Sequence, residues 1–335
     1  METPILVKEW RGQTLENIHH GLICGIDRNG SVIFQQGDID TPIFYRSALK
    51  PIQAIPVFES NVFEEYNISD KEAALCTASQ RGESYHQEAL QSLLKKWGLD
   101  EETLVCNASH PLNDAPKAES IAKHEPKRKL YHNCAGKHLG LLAASRANGW
   151  SMEGYDQLDH PVQQRILEAL AELTEMKTED IETGVDGCGV PVFAVPLKQM
   201  ALSYLKFAVP ELIEDEHLRQ TVTSIGNVMN AHPEIVASHD FICTALLEDD
   251  NIVAKGGAQG VYCFSLRKEQ QAFALKVLSG HEHVWPQIVA ALLEHINYDN
   301  PATIERLKAL GSLEITNDAG VPAGHRTVHI ENGGA

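Results

Sequence analysis

The chain has 335 residues, 43% of them hydrophobic, with 28 basic against 46 acidic side chains and a formal charge of −18. That length can bury a substantial core, and so negative a surface excludes nucleic-acid backbones and anionic lipid as partners. Seven scattered cysteines, odd in number, make no disulfide framework; together with an N-terminus charged too early for a signal peptide and no apolar run near the ~18 residues of a membrane span, they predict a soluble, reduced, cytoplasmic protein.

Taken in chain order, residues 21–38 read as a β-hairpin: Leu22, Cys24 and Ile26 alternate on one side, Asn29-Gly30 turns, and Val32 and Phe34 alternate on return. Residues 84–97 carry a helical stripe of Leu90, Leu93, Leu94 and Trp97, with Ser84 and Gln87 in capping-box spacing and Gly98 as the stop. A basic run at 123–129 is broken by Glu125 and Pro126 and reads as a solvated loop. A second helix is expected over 136–147, and others after Pro161, Glu216 and His283. Strand-like runs return at 251–255, 260–265, 272–278 and 326–330. Strands at both ends with helices between them predict an α/β (α+β) fold, an antiparallel sheet formed from both chain ends with flanking and inserted helices.

Two constellations carry chemistry. The first is Ser47-Ala48-Leu49-Lys50. On a helix, positions i and i+3 share a face, so the lysine lies beside the serine hydroxyl. It acts as a base only when neutral, which burial, the helix dipole and neighbouring Arg46 favour. Read by itself, the motif is more often a capped helix start beside a solvated lysine. Lys255, ending an apolar strand before two glycines, has the placement of the K-T-G lysine of serine–lysine enzymes, although no S-D-N motif is present. The second constellation is Cys134 with Lys137 at a helix start and Cys188 in a glycine-bounded loop. Thiolates are good zinc ligands; by ordinary rules His132 or His138 supplies the third donor, and two buried reduced cysteines near a turn explain the pattern without any metal.

Together the stretches RSALKPIQAIPV, CTASQRGE, HNCAGKH, DGCGVPVFAVPL, AHPEIVA and AKGGAQGV resemble the rhizobial-type (class 3) L-asparaginases, from about Glu16 to Asn317. The resemblance implies a serine β-lactamase-like fold in a single catalytic unit over 1–335, with sheet from roughly 16–40 and 250–330 and a mainly helical region over 47–245. It implies hydrolysis of L-asparagine to L-aspartate and ammonia by two serine–lysine pairs, Ser47 with Lys50 and Ser79 with Lys255. It implies zinc held by Cys134, Lys137, Cys188 and a water, with Asp186 behind the ligands, Arg46, His138 and Cys243 lining the pocket, and a homodimer. Gln80 and Arg81, Asn17 and Ser238 depart from the family pattern without removing any of these serines, lysines or cysteines. The rival readings are a serine–lysine hydrolase of another small amide or a β-lactam, and a non-catalytic zinc- or amino-acid-binding protein.

Overall fold

The computed structural model describes residues 3–331. The chain forms two compact units, one from residues 1–48, 195–209 and 240–335, the other from 49–194 and 210–239. Each is discontinuous in sequence, because the chain passes from one to the other four times.

The first unit is built on an antiparallel sheet. Its strands are β1 (Ile5–Arg11), β2 (Thr14–Ile26), β3 (Val32–Gln36), β7 (Ile252–Gly257), β8 (Val261–Leu266), β9 (Gln271–Val277), β10 (Glu314–Thr316) and β11 (Pro322–Val328), in the order β10-β11-β1-β2-β9-β8-β7, with β3 also on β2. A further short strand, β4 (Pro42–Phe44), leads towards Ser47. N-terminal β2 pairs with C-terminal β9, Ile23 opposite Leu275 and Gly25 opposite Phe273. This is the expected sheet from both chain ends. The hairpin between β2 and β3 also forms, its turn fastened by Asp27, whose Oδ1 accepts from the N–H groups of Asn29 and Ser31 at 2.9 Å each.

The expected in–out alternation of the first hairpin strand does not hold. All residues from Gly21 to Ile26 are buried, so no polar outer face exists there to alternate with. The helix Leu197–Ala208 packs on β2, β8 and β9 and covers one side of the sheet. β1 had no clear signal, because its run Ile5–Arg11 mixes charged and apolar residues. The last strand starts earlier than expected, at Pro322, and pairs Val328 with Val7.

The second unit is mainly helical. The helix Ser84–Lys96 forms, with Leu90 and Leu93 fully buried, each contributing about 1.5–3 kcal/mol of burial. Its capping box does not. Ser84 is the first helical residue and Glu83 the cap, and Gln87 donates weakly to Gln80 Oε1 and to the Leu130 carbonyl, 3.5 Å each. The capping box of this region lies one helix earlier, at Ser69 and Glu72. The helices Ala135–Ala147, Pro161–Thr174 and Glu216–Ala231 stand where periodicity put them. Within the helical region lies an unexpected hairpin, β5 (Glu182–Val185) with β6 (Pro191–Pro196), pairing Val185 with Pro191. Among the described residues, no helix is long and apolar enough to cross a membrane.

Candidate functional site

In the second unit, Lys50 opens the helix Lys50–Gln53 with Pro51 behind it and is 1% exposed. Its Nζ lies 2.8 Å from the Ala78 carbonyl oxygen, 2.9 Å from Ser79 Oγ and 3.2 Å from the Asn133 carbonyl oxygen. An ammonium donates to all three. A free amine, with two N–H bonds and one lone pair, matches two carbonyls and one hydroxyl equally well, and then accepts the Ser79 proton. The motif reading paired Lys50 with Ser47; here its Nζ reaches Ser79.

Ser79 follows the 3-10 turn Leu75–Thr77, and its N–H donates to the Val236 carbonyl at 2.8 Å. The turn lies against the start of the helix Ala135–Ala147. A Cβ at Gly136 would stand 2.2 Å from the Leu75 carbonyl oxygen, so only glycine lets the helix carrying Cys134 and Lys137 come this close. Gln80 fastens the same two segments. It is fully buried, its Nε2 reaches the carbonyls of Leu130, Tyr131 and His132 at 3.2, 3.0 and 2.7 Å, and its Oε1 accepts from the Gly82 N–H at 2.7 Å. Sequence reasoning registered Gln80 only as a departure from a family pattern and missed this positioning role. Its one signal was an amide in a run of small residues.

Cys134, at the cap of that helix, and Cys188, in the turn of the β5–β6 hairpin, are 2% and 3% exposed. The turn is closed by bonds from Asp186 N–H to the Val190 carbonyl and from Gly189 N–H to the Asp186 carbonyl, 2.9 Å each. Donor atoms of Cys134, Asp186 and Cys188 all lie within 4.8 Å of one another, so this group could hold a metal ion. Lys137 donates to Cys188 Sγ at 3.1 Å and Cys188 Sγ to Asp186 Oδ2 at 3.4 Å.

The two thiols are hydrogen-bonded to each other. The bond to Cys188 and the charges of Lys50 and Lys137 pull Cys134 well below the usual thiol range against the cost of burial, while the bond to Cys134 and burial push Cys188 up. Burial works to neutralise Lys137, but the two sulfurs and Asp186 outweigh it and hold it cationic. Soft sulfur beside a carboxylate is a donor set that suits zinc, and Lys137 could join it only on losing its proton. His138 is fully buried, and burial pushes it down to about 4 despite nearby Cys188. Its Nδ1 lies 2.8 Å from Tyr155 Oη, which itself accepts from the Val105 N–H at 3.0 Å. Both partners are satisfied when Tyr155 donates to Nδ1. The proton then sits on Nε2, a buried atom without a hydrogen-bond partner, and in this tautomer His138 offers no lone pair to a metal. His132 Nδ1 is likewise occupied, accepting from the Cys134 N–H at 3.1 Å.

In the first unit, Ser47 lies partly exposed in the 3-10 turn Arg46–Leu49. Arg46 before it takes φ +51°, a left-handed conformation that costs a non-glycine residue about 1–3 kcal/mol and clusters at functional sites. The turn is held by bonds from Ala48 N–H to the Tyr45 carbonyl, 3.1 Å, and from Tyr204 Oη to the Ala48 carbonyl, 2.7 Å. β7 passes beside it. A Cβ at Gly257 would lie 2.3 Å from the Tyr45 carbonyl oxygen, which accounts for glycine there. Lys255, 1% exposed on the same strand, donates to the Gly256 carbonyl at 2.9 Å. Cys243 is fully buried and its sulfur accepts from Gly256 N–H at 3.2 Å and Tyr262 Oη at 3.6 Å. It secures β7.

A family model described as L-asparaginase II matches residues 7–328. The chain belongs to the L-asparaginase II family. Solved structures similar to it include a β-lactamase from Mycobacterium bovis, 14% identical over 82% of this chain and 94% of that one with a TM-score of 0.41. Another is simvastatin synthase from Aspergillus terreus, 12% identical over 87% and 90%, TM-score 0.34. These likenesses are slight, and the assignment to the asparaginase family rests on the match over nearly the whole chain. No curated protein matches. Membership makes the chain a hydrolase of the L-asparaginase type, acting on a small molecule.

Of the positions at which it departs from the family pattern, Arg81 bonds Asn113 Oδ1 through Nε at 2.5 Å, Asn17 donates to Glu9 Oε2 at 2.9 Å, and buried Ser238 receives a bond from Asn113 Nδ2 at 3.3 Å. Each substituted side chain has found a local partner.

Proposed function

We propose that this protein hydrolyses the side-chain amide of L-asparagine through a serine ester. The observation that carries the reading is the buried Lys50 Nζ set 2.9 Å from Ser79 Oγ with two carbonyls on its other sides. In this reading Ser47 is the nucleophile. It is partly exposed on a strained turn, as nucleophile-bearing turns are, and Lys50 follows three residues on. Lys50 as the free amine, its lone pair turned from Ser79 towards Ser47, takes the Ser47 proton while Oγ bonds to the amide carbon, and the ammonium so formed donates to Ser79. Ser79 relays that proton to the departing nitrogen, and ammonia leaves as the carbon–nitrogen bond breaks. Water then attacks the ester, returns a proton to Ser47 and releases L-aspartate. Lys255 is proposed as the second base.

Cys134, Cys188 and Asp186, with the Lys137 amine in reach, would hold a zinc ion. When bound it supplies positive charge that anchors the substrate carboxylate. Seven free, buried cysteines support a reducing compartment, and we propose the cytoplasm.

Ammonia release from L-asparagine by the full chain tests the assignment, with L-glutamine alongside. Ser47→Ala is expected to lower kcat about a thousandfold or more and to leave no ester detectable by rapid-quench mass spectrometry. Ser79→Ala is expected to slow turnover while an ester still forms. An ester that survives Ser47→Ala and vanishes in Ser79→Ala would transfer the nucleophile's role to Ser79. Asparagine bound without turnover by the wild-type chain would instead favour a binding protein.

A further inference from the structure

A second cluster of metal-ligating side chains stands in the first unit, on β1, β2 and the turn after β9. His19 on β2 is 5% exposed. Its Nδ1 lies 2.9 Å from Ser279 Oγ, but its buried Nε2 makes no hydrogen bond. The nearest charged partner is Glu9 Oε2, at 3.7 Å. Leaving a buried ring nitrogen unbonded costs about 1–3 kcal/mol, and such an atom calls for an explanation. His281 faces it, and His283 stands beside His281. The His19 and His281 ring centroids are 5.1 Å apart, and those of His281 and His283 are 5.5 Å apart.

Each of these spacings fits a pair of rings on one cation. Two imidazoles bound to a tetrahedral metal at ~2.0–2.1 Å hold their ring centroids about 5–5.5 Å apart. An imidazole nitrogen and a carboxylate oxygen on the same ion stand about 3–3.5 Å apart, close to the separation of His19 and Glu9. The protonation pattern also fits. Nδ1–H donating to Ser279 leaves the lone pair on Nε2, with the second nitrogen anchored as ligating histidines usually are. Burial lowers the proton affinity of His19, which keeps the ring in its ligating, neutral form. Glu9 brings a negative charge; Arg326 is bonded to its other oxygen, Oε1, at 2.7 Å, and Asn17 to Oε2.

We infer that His19, His281 and His283, with Glu9 beside them, form a site for a borderline divalent transition cation such as zinc, nickel or cobalt, separate from the cysteine pair. Among the described residues, only the Cys134–Asp186–Cys188 group already has its donor atoms within 4.8 Å of one another. The histidine site therefore closes on binding. His281 and His283 are exposed, so their rings turn freely onto the fixed Nε2 of His19. The Leu278 N–H bond to the His20 carbonyl, 2.8 Å, keeps their turn against β2. The bound cation would staple the chain after β9 to the outer strands.

The test is titration of metal-stripped, full-length protein with Co²⁺ alone, read in the visible and near ultraviolet. Cobalt on Cys134 or Cys188 shows sulfur-to-metal charge transfer; cobalt on imidazoles does not. One cobalt per chain without that band is expected in the wild type. In the His281→Ala/His283→Ala variant, whose changes are on exposed residues, this cobalt is expected to bind at least about tenfold more weakly, with any thiolate band unchanged. His19→Gln is expected to do the same. A wild type that takes no cobalt lacking the thiolate band would overturn the proposal, and so would a double variant that binds it undiminished.

Discussion

Lys50 and Gln80 are each surrounded by acceptors that no sequence motif announces. Ser47 and Lys50 were legible as a spacing, and Cys134, Lys137 and Cys188 as residue types beside glycine. The carbonyls of Ala78, Asn133 and Leu130 to His132 were not. A backbone oxygen carries no side-chain signature, and these come from segments far apart in the chain. Replacing Gln80 shows what that buried amide does. Gln80→Ala removes the one amide nitrogen, with two N–H donors, that serves three carbonyls in the segment leading to Cys134, and the expected loss is about 1–3 kcal/mol of stability. Metal affinity at the cysteine pair is expected to fall as well, because its supporting segment is loosened. Gln80→Glu should not rescue either property, since a carboxylate presents lone pairs to carbonyl oxygens. Urea unfolding and a zinc competition titration on the variants check both outcomes, and an unchanged unfolding midpoint in Gln80→Ala would refute the positioning role.

Elements were read well where one pattern governed them and poorly where two competed. The helices over 84–96, 161–174 and 216–231 have one apolar stripe and clear ends, and they form; that over 135–147 also forms, buried on all sides from Ala135 to Ser145. The β5–β6 hairpin escaped notice because Val185, Val190 and Pro191 flank a turn whose apparent meaning was ligation rather than strand reversal. The capping box was misplaced for a related reason: Ser84 with Gln87 and Ser69 with Glu72 carry the same spacing, and only the second is used.

Glu72 gives that cap a pH dependence. Burial would raise its carboxyl, but bonds from Lys96, Ser92 and Ser69 outweigh burial and hold it at about 2, against an unfolded value near 4.3. A lowered folded value means that the unfolded chain binds the proton more readily. Its stabilisation is therefore fully present above about pH 5 and is lost as pH falls towards 2. Glu72→Gln is expected to be less stable at pH 7 and to flatten the dependence of the unfolding midpoint between pH 5 and 3. A variant whose acid limb matches the wild type would remove Glu72 from that transition. At β7 the constraint is steric. Gly257→Ala would press a methyl against the Tyr45 carbonyl, and overpacking of this kind costs about 1–3 kcal/mol. Because it bears on the turn that holds Ser47, kcat is expected to fall more than KM rises.

At the scale of the whole molecule, the sheet closed by both chain ends was the firmest inference, since strands cluster at the two ends and a single strand cannot bury its faces alone. The division into two discontinuous units was not legible, because the crossings at 48/49, 194/195, 209/210 and 239/240 carry no linker-like composition. The charge of −18 acts on the molecule as one body. Like charges repel more in the compact state than in the expanded one, so this excess opposes folding. Salt weakens the opposition. Between 10 mM and 150 mM ionic strength the screening length falls from about 30 Å to about 8 Å, which cuts long-range repulsion far more than contact pairs such as Arg165 with Glu59 or Arg128 with Glu101. The surface pairs are individually worth about 1 kcal/mol or less, whereas the repulsion is summed over the whole surface. The melting temperature is therefore expected to rise over that range at pH 7.5. A melting temperature that falls with added chloride at pH 7.5 would mean that the ion pairs, not the net charge, dominate the electrostatics of this fold.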